Sequence, residues 1–206
     1  MEAMGRVAAG ELANAFAFIG AGGHHAGRRF FGGYCCFNDV CIGVAEARRR
    51  ELARRFAILD TDAHHGDGTR DIVQDDPEVL HVCVCGQAHA SGDGTKHDLA
   101  VAWDAAADPD AAYLAAVRAA FPSACRTFRP DLVVWYFGFD GHRGDYGDLG
   151  LTAACFLGLV DLMLAVAMGA AAGRLVVVLG GGSRTDLATA LIPPIITRLA
   201  DAAAGP

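Results

Sequence analysis

The stretch DTDAHHGDG, residues 60–68, gathers acids and imidazoles directly after an apolar run. Asp62 and His64 stand two apart, and in extended backbone such side chains leave on one face. A carboxylate beside a neutral imidazole is a borderline donor pair suited to zinc or iron. Asp60 would share that face one step deeper. A third ligand has to come from elsewhere, and Asp140 is the best placed, because it follows the buried run VVWYF in GFDGH. An Asp-His-Asp set leaves a position for water and substrate. Taken singly, each of these residues also reads as an ordinary surface-loop acid or histidine.

His24 and His25 lie in GGHHAG, with glycines on both sides. Glycine flanks let a tandem imidazole pair approach a substrate without steric cover. A carboxylate on the remote nitrogen of each ring would fix its tautomer, and Asp60 and Asp67 are available. Such a pair could deprotonate a water beside a metal and then protonate a leaving amine. The competing readings are a further metal-binding pair and an incidental tandem in a loop.

The elements that must hold these residues alternate between helical and strand patterns. Short continuous apolar runs occur at Phe56–Asp60, Val79–Val84, Leu132–Phe137 and Leu175–Leu179, with a further short strand expected over Phe16–Ile19, leading into the turn AGG. Continuous rather than alternating runs belong to strands buried on both faces, as in parallel sheets covered by helices. Helices are expected over Met4–Phe16, Asp39–Arg54, Asp110–Phe121 and Thr152–Ala172. A last helix starts near Asp186, where Pro193 and Pro194 must kink or interrupt it; DAAAGP reads as a frayed tail. The polar residues cluster just after the runs, where open α/β sheets carry their sites. Turn formation accounts for Gly66, Gly68 and Gly147, but turns have no need of His24, His25 or His64.

The chain has 206 residues, 53% of them hydrophobic and 20% charged, with a formal net charge of −7. That composition excludes a disordered tail and argues against a nucleic-acid binder relying on phosphate neutralisation. No run of 18 continuous apolar residues is present, which argues against an ordinary transmembrane helix. The start MEAMGRVAAG lacks the basic-then-apolar order of a signal peptide. Seven cysteines form no zinc-finger or secreted-framework spacing, so they read as buried thiols in a reducing compartment, with the cytoplasm as the expected location.

The stretches GGHHAG, FFGGYCCFNDV, AILDTDAHHGDGT, DPEVLHV, RPDLVVWYFGFDGH, GDLGLT and VVVLGGGS run in this order from about residue 16 to residue 190. In that order they resemble the zinc-dependent histone deacetylase and acetylpolyamine amidohydrolase superfamily. The resemblance implies one α/β domain over residues 1–206 with a mostly parallel sheet, helices on both faces and the arginase/deacetylase arrangement. It implies one zinc ion on Asp62, His64 and Asp140. His24 and His25 would be the catalytic pair, oriented by Asp60 and Asp67. Gly33, Tyr34, Gly181 and Gly182 would line the substrate channel, where Tyr34 replaces a usual phenylalanine. A structural potassium ion would sit on Asp60, Asp62 and the backbone of His64, although Cys83 stands where a side-chain hydroxyl completes that site.

Two departures accompany the resemblance. Ser183 occupies the place of a tyrosine whose hydroxyl polarises the scissile carbonyl, and Arg184, Tyr146 or a water are the available substitutes. The section that precedes the tandem histidines in the family is short here, so the sheet is expected to be truncated at its N-terminal edge. A homodimer or another partner would cover that edge. The expected reaction is hydrolysis of an acylated amine, such as acetyl-lysine or acetylpolyamine, with His25 as general base. The negative net charge suits such cationic substrates only weakly. The alternatives are a catalytically impaired homologue that binds or assembles, and a ureohydrolase-like enzyme with two metals. Against the latter, His65 and Gly66 follow His64 where a second metal-binding aspartate is needed.

Overall fold

Side-chain parity along four apolar strands divides the molecule into two cores. The computed structural model describes residues 1–19, 22–101 and 107–204. Its elements are α1 (Glu2–Ala8), β1 (Asn14–Ala17), α2 (Asp39–Arg49), β2 (Phe56–Asp60), α3 (Asp67–Val73), β3 (Val79–Cys83), β4 (His89–Ala90), β5 (Lys96–Asp98), α4 (Pro109–Phe128), β6 (Leu132–Phe137), α5 (Ala153–Ala170), β7 (Leu175–Leu179) and α6 (Thr185–Ala204). The sheet order is β1-β7-β6-β2-β3-β5-β4. Every neighbouring pair is parallel except β4 with β5. Ala57, Leu59, Val133, Trp135, Phe137, Leu175 and Val177 face one core, shared with α4, α5 and α6. Their neighbours Phe56, Ile58, Leu132, Val134, Tyr136, Val176 and Val178 face the other, shared with α1 and α2. This is the single α/β domain with a mostly parallel sheet and helices on both faces.

The boundaries of β2, β6 and β7 coincide with the apolar runs, while several helices end earlier than their pattern. The N-terminal helix stops at Ala8 rather than Phe16: Gly10 has φ +75, and the chain turns before β1 starts at Asn14. The helix expected to reach Arg54 ends at Arg49, because Glu51 takes a left-handed φ of 57. In the opposite direction, α4 continues through Pro122 to Phe128, since Phe121, Cys125 and Phe128 extend its buried stripe. Pro193 and Pro194 lie within α6 without interrupting it. The AGG turn lies partly outside the described residues, as does the end of DAAAGP, whose first four residues are helical. Both α5 and α6 are long and apolar enough to cross a membrane, contrary to the sequence expectation; in the fold, α5 presses Phe156, Leu159, Val160 and Met163 into the core.

The sequence pattern does not show α3 or the β4–β5 pair. Gly66 and Gly68, read as turn formers, instead begin α3. A side chain at Gly68 would run into the backbone of His25 and Ala26, so α3 can seat itself against the loop of the tandem histidines only with glycine there. Asn38 completes this joint. It caps α2 by accepting from Cys41 N at 3.0 Å, and its amide donates to Ala26 O at 3.1 Å and Thr69 Oγ1 at 3.0 Å. Replacing Asn38 with alanine removes a cap and leaves a buried carbonyl unpaired. Urea unfolding of N38A is expected to show a loss of about 1–3 kcal/mol, and a value indistinguishable from the parent would show that the joint carries no stability.

Candidate metal centre

Asp60 is the last residue of β2, and the chain bends immediately after it, so strand geometry does not carry Asp62 and His64 onto one face. The bend itself brings them together. Asp62 N donates to Asp60 Oδ1 at 3.1 Å, and His64 N donates to Asp62 Oδ1 at 3.0 Å. Asp140 arrives from the end of β6 and accepts from Ala63 N at 3.1 Å. His64 Nδ1 then lies 3.0 Å from Asp62 Oδ1 and 2.8 Å from Asp140 Oδ2. Asp62 and Asp140 are almost wholly buried, whereas His64 opens to the pocket.

The proton arrangement fits an ion. The Nδ1–H of His64 is shared between Asp62 Oδ1 and Asp140 Oδ2 but aims at Asp62, which leaves the buried Asp140 Oδ2 short of a full hydrogen bond. A buried carboxylate oxygen without a partner is costly unless a cation meets it. One ligand atom from each of Asp62, His64 and Asp140 falls within 4.8 Å of the others, compact enough for a single ion. Hydrogen bonds from Asp140 and Asp62 raise the pKa of metal-free His64 to about 10. Burial is the largest influence on the two acids; it raises Asp140, whereas hydrogen bonds from His64 overcome it and lower Asp62.

The tandem histidines stand beside this set. His24 Nδ1 is 2.9 Å from Asp60 Oδ2, and His25 Nδ1 is 2.6 Å from Asp67 Oδ1. Each ring thereby keeps Nε2 for the pocket. The ring centroids are 4.2 Å apart. Burial works against charge on His24, but Asp60, Asp62 and Asp140 outweigh it and raise its pKa to about 9. Tyr136 lies beneath, stacked on His24 with centroids 4.8 Å apart, and its hydroxyl accepts from Gly23 N at 2.8 Å. Tyr136 was not singled out from sequence. Its register opposite Asp60 in β2 is the signal, and that requires knowing the strand pairing.

A cavity of about 900 Å³ opens over these groups, lined among others by Gly33, Tyr34, Gly181, Gly182 and Ser183. Gly33 has φ +51, and any side chain there would strike the His25 ring. Tyr34 stands exposed at the rim, as does Phe18. The amide of Gly181 donates to Asp62 Oδ2 at 2.9 Å, so this residue serves a candidate metal ligand. Ser183 turns away from the ligand set: its hydroxyl donates to Asp145 Oδ1 at 2.7 Å. Arg184 is paired with Asp186, its Nε 3.1 Å from Oδ1. Tyr146 occupies the place between. Its ring stacks on His64 with centroids 5.4 Å apart, and its hydroxyl oxygen accepts from Gly182 N at 3.3 Å. All seven cysteines are free; Cys36 is exposed and Cys85 half-buried, against the expectation of uniformly buried thiols.

The family model described as Histone deacetylase domain matches residues 1–192. Human histone deacetylase 7 is 34% identical over 198 residues, covering 86% of this chain and 20% of that protein. Histone deacetylase clr3 of Schizosaccharomyces pombe is 31% identical over 198 residues, covering 87% of this chain and 28% of that protein. The chain therefore spans between a fifth and a third of the length of these relatives. The crystal structure of the HDA15 HD domain matches with a TM-score of 0.82 at 24% identity, over 96% of this chain and 59% of that one, a likeness of fold.

With its pKa near 10, His64 carries a proton at neutral pH when no ion is bound. Binding through Nδ1 must displace that proton, so affinity is present in full only above the raised pKa and falls as pH is lowered. Competition against a chromophoric chelator at pH 6, 7 and 8 is expected to show zinc binding at this centre weakening by about tenfold per pH unit. Asp140→Ala should lose the ion at every pH, while His25→Ala retains it. Flat pH dependence would show that the imidazole is already neutral, and metal retention in D140A would remove Asp140 from the ligand set.

Proposed function

The chain belongs to the histone deacetylase domain family, and from that premise we propose that it hydrolyses an acylated amine, such as acetyl-lysine or an acetylpolyamine, with one zinc ion at Asp62, His64 and Asp140. The observation that carries this reading is the compact cluster of Asp62, His64 and Asp140, two buried carboxylates converging on one imidazole, at the floor of a pocket that also exposes two carboxylate-oriented imidazoles. When bound, zinc supplies Lewis-acid polarisation of a carbonyl and lowers the pKa of a water.

The protein's own groups complete the reaction. Asp67 holds the more open His25 with Nε2 toward the pocket, placing it to take a proton from the attacking water. Asp60 holds the buried His24, and the neighbouring carboxylates favour its protonated form. One of the pair then returns a proton to the leaving amine. The ligand chemistry matches a single-metal hydrolase rather than a two-metal ureohydrolase, because Gly66 presents no side chain to a second ion.

The carbonyl oxygen needs a donor opposite the metal. Ser183 is committed to Asp145 and Arg184 to Asp186, which leaves Tyr146. Gly182 N–H points at its phenol oxygen, so the phenol hydrogen can turn into the pocket. Burial, together with Asp140 and Asp62, raises the Tyr146 pKa and keeps the group a donor. Tyr146 in this reading takes the part of the family's tyrosine from a different loop. The exposed aromatic faces of Phe18 and Tyr34 offer walls for the apolar stem of an acyl-lysine.

Tyr146→Phe is expected to lower kcat on an acetyl-lysine peptide by about 10²–10³-fold, with KM and zinc content nearly unchanged, whereas Ser183→Ala should leave most of the rate. Equal losses in both variants would assign the donor elsewhere. A zinc-loaded parent protein that binds a hydroxamate yet turns over neither acetyl nor trifluoroacetyl peptide would instead establish the rival reading, a binding protein without efficient catalysis, to which the orientation of Ser183 lends support.

A further inference from the structure

We propose that His65, Cys83, Cys85 and Asp98 form a second metal site, closed and structural, selective for zinc or a similarly soft divalent ion. The four come from three adjacent strand ends. His65 follows β2, Cys83 ends β3, Cys85 lies two residues beyond, and Asp98 ends β5. Cys83 is directly opposite Asp98 in register. Leu80, Val82 and Val84 turn into the core of α4, α5 and α6. The two cysteines, offset by one, leave on the opposite face.

The distances suit one ion. His65 Nδ1 is 3.2 Å from Cys85 Sγ and 3.7 Å from Asp98 Oδ1, and one ligand atom from each of the four residues lies within 4.8 Å of the others. Tetrahedral zinc with ordinary bond lengths sets its ligand atoms about 3.3–3.8 Å apart. The arrangement is thus within small side-chain rotations of a tetrahedral shell. Two sulfurs and an imidazole select zinc over hard ions such as potassium, which take oxygen.

The surroundings also fit. Two thiolates, a carboxylate and a neutral imidazole bring a charge of −3 to a divalent ion. Arg70 supplies the remaining positive charge, holding Asp98 with Nη2 at 2.6 Å from Oδ1 and Nη1 at 3.3 Å from Oδ2. An outer arginine of this kind orients a ligating carboxylate. Cys83 and Asp98 are buried, His65 and Cys85 half-buried. A polar cavity of about 420 Å³, lined by His65, Arg70, Gln87, His89 and Asp98, gives an ion a way in. Four protein ligands leave no position for substrate, which marks the site as structural. Its effect would be to pin the start of α3, and with it Asp67 and His25, to β3 and β5.

The two centres differ in sulfur, so cobalt distinguishes them independently of any hydrolytic activity. The full chain, stripped by chelator under reductant, is titrated with Co²⁺ while the thiolate-to-cobalt charge-transfer absorption and the bound metal are followed. Two ions per chain are expected, with the charge-transfer band retained in Asp140→Ala and lost in the double variant Cys83→Ala/Cys85→Ala. Elemental analysis of the zinc protein should fall from two ions to one in either variant. His65→Gln provides a second, half-buried test, its folding checked by circular dichroism, and should weaken the band without removing cobalt from the other centre. One ion per chain without a thiolate band would overturn the site. So would a band that survives the double variant Cys83→Ala/Cys85→Ala, since it would belong to other cysteines.

Discussion

Three carboxylates converge where water cannot solvate them. Asp60, Asp62 and Asp140 are each at most 2% exposed, and all lie at or just beyond the carboxyl ends of two paired parallel strands. Removing one such ion from water costs several kcal/mol unless it is paired. The surrounding arrangement serves to meet that cost. His24 neutralises Asp60, backbone amides of Ala63, His64 and Gly181 reach Asp140 and Asp62, and His64 bridges the two acids. The single Nδ1–H of His64 cannot serve both acids fully, and Asp140 Oδ2 is left short of a full hydrogen bond. A divalent ion held by Asp62, His64 and Asp140 would resolve the electrostatics at that point.

Crowding of backbone onto these acids explains the glycines better than turn conformation does. A Cβ at Gly66 would stand 2.6 Å from Asp60 Oδ2, at Gly138 2.8 Å from Asp62 Oδ2, and at Gly147 2.8 Å from Asp140 Oδ2. Gly66 has an ordinary negative φ, so a turn alone would accept another residue there. The constraint is space: the loops after β2, β6 and β7 must bring chain into van der Waals reach of the carboxylates. Gly181 joins the group, since its Cβ would meet both Asp62 and the Tyr146 hydroxyl.

How much could be read from sequence followed from how locally each feature was encoded. The strands β2, β6 and β7 are continuous apolar runs closed by polar residues, so composition alone sets their bounds. In contrast β5 reads Lys-His-Asp, which no hydrophobic pattern marks. It is buried because Lys96 Nζ finds three acceptors, Asp76 O, Val79 O and Thr95 Oγ1. The glycine-rich start of α3 looks like a turn until Ala26 packs on it. The residues of the pocket were legible where one motif carried several of them, as in DTDAHHGDG and GGHHAG. The contributions of Tyr136 and Asp145 were not, because each depends on which loop or strand lies opposite, and Tyr146 stood only as one of three candidates for the hydroxyl.

The loops after β6 and β7 therefore form one unit. Asp145 accepts the amides of Ser183 and Arg184, together with the Ser183 hydroxyl. That clamp draws the glycine loop toward the β6 loop and fixes Gly182 N–H on the Tyr146 oxygen. A tyrosine at position 183 would not simply add a hydroxyl to the pocket. It would remove the side-chain donor that Asp145 holds and would compete with Tyr146 for the space over His64. The two positions are coupled by contact, so their substitutions are expected to be non-additive. Serine at 183 and tyrosine at 146 are thus linked through one clamp, since Asp145 holds the serine hydroxyl and the loop so held carries the Gly182 N–H to the Tyr146 oxygen.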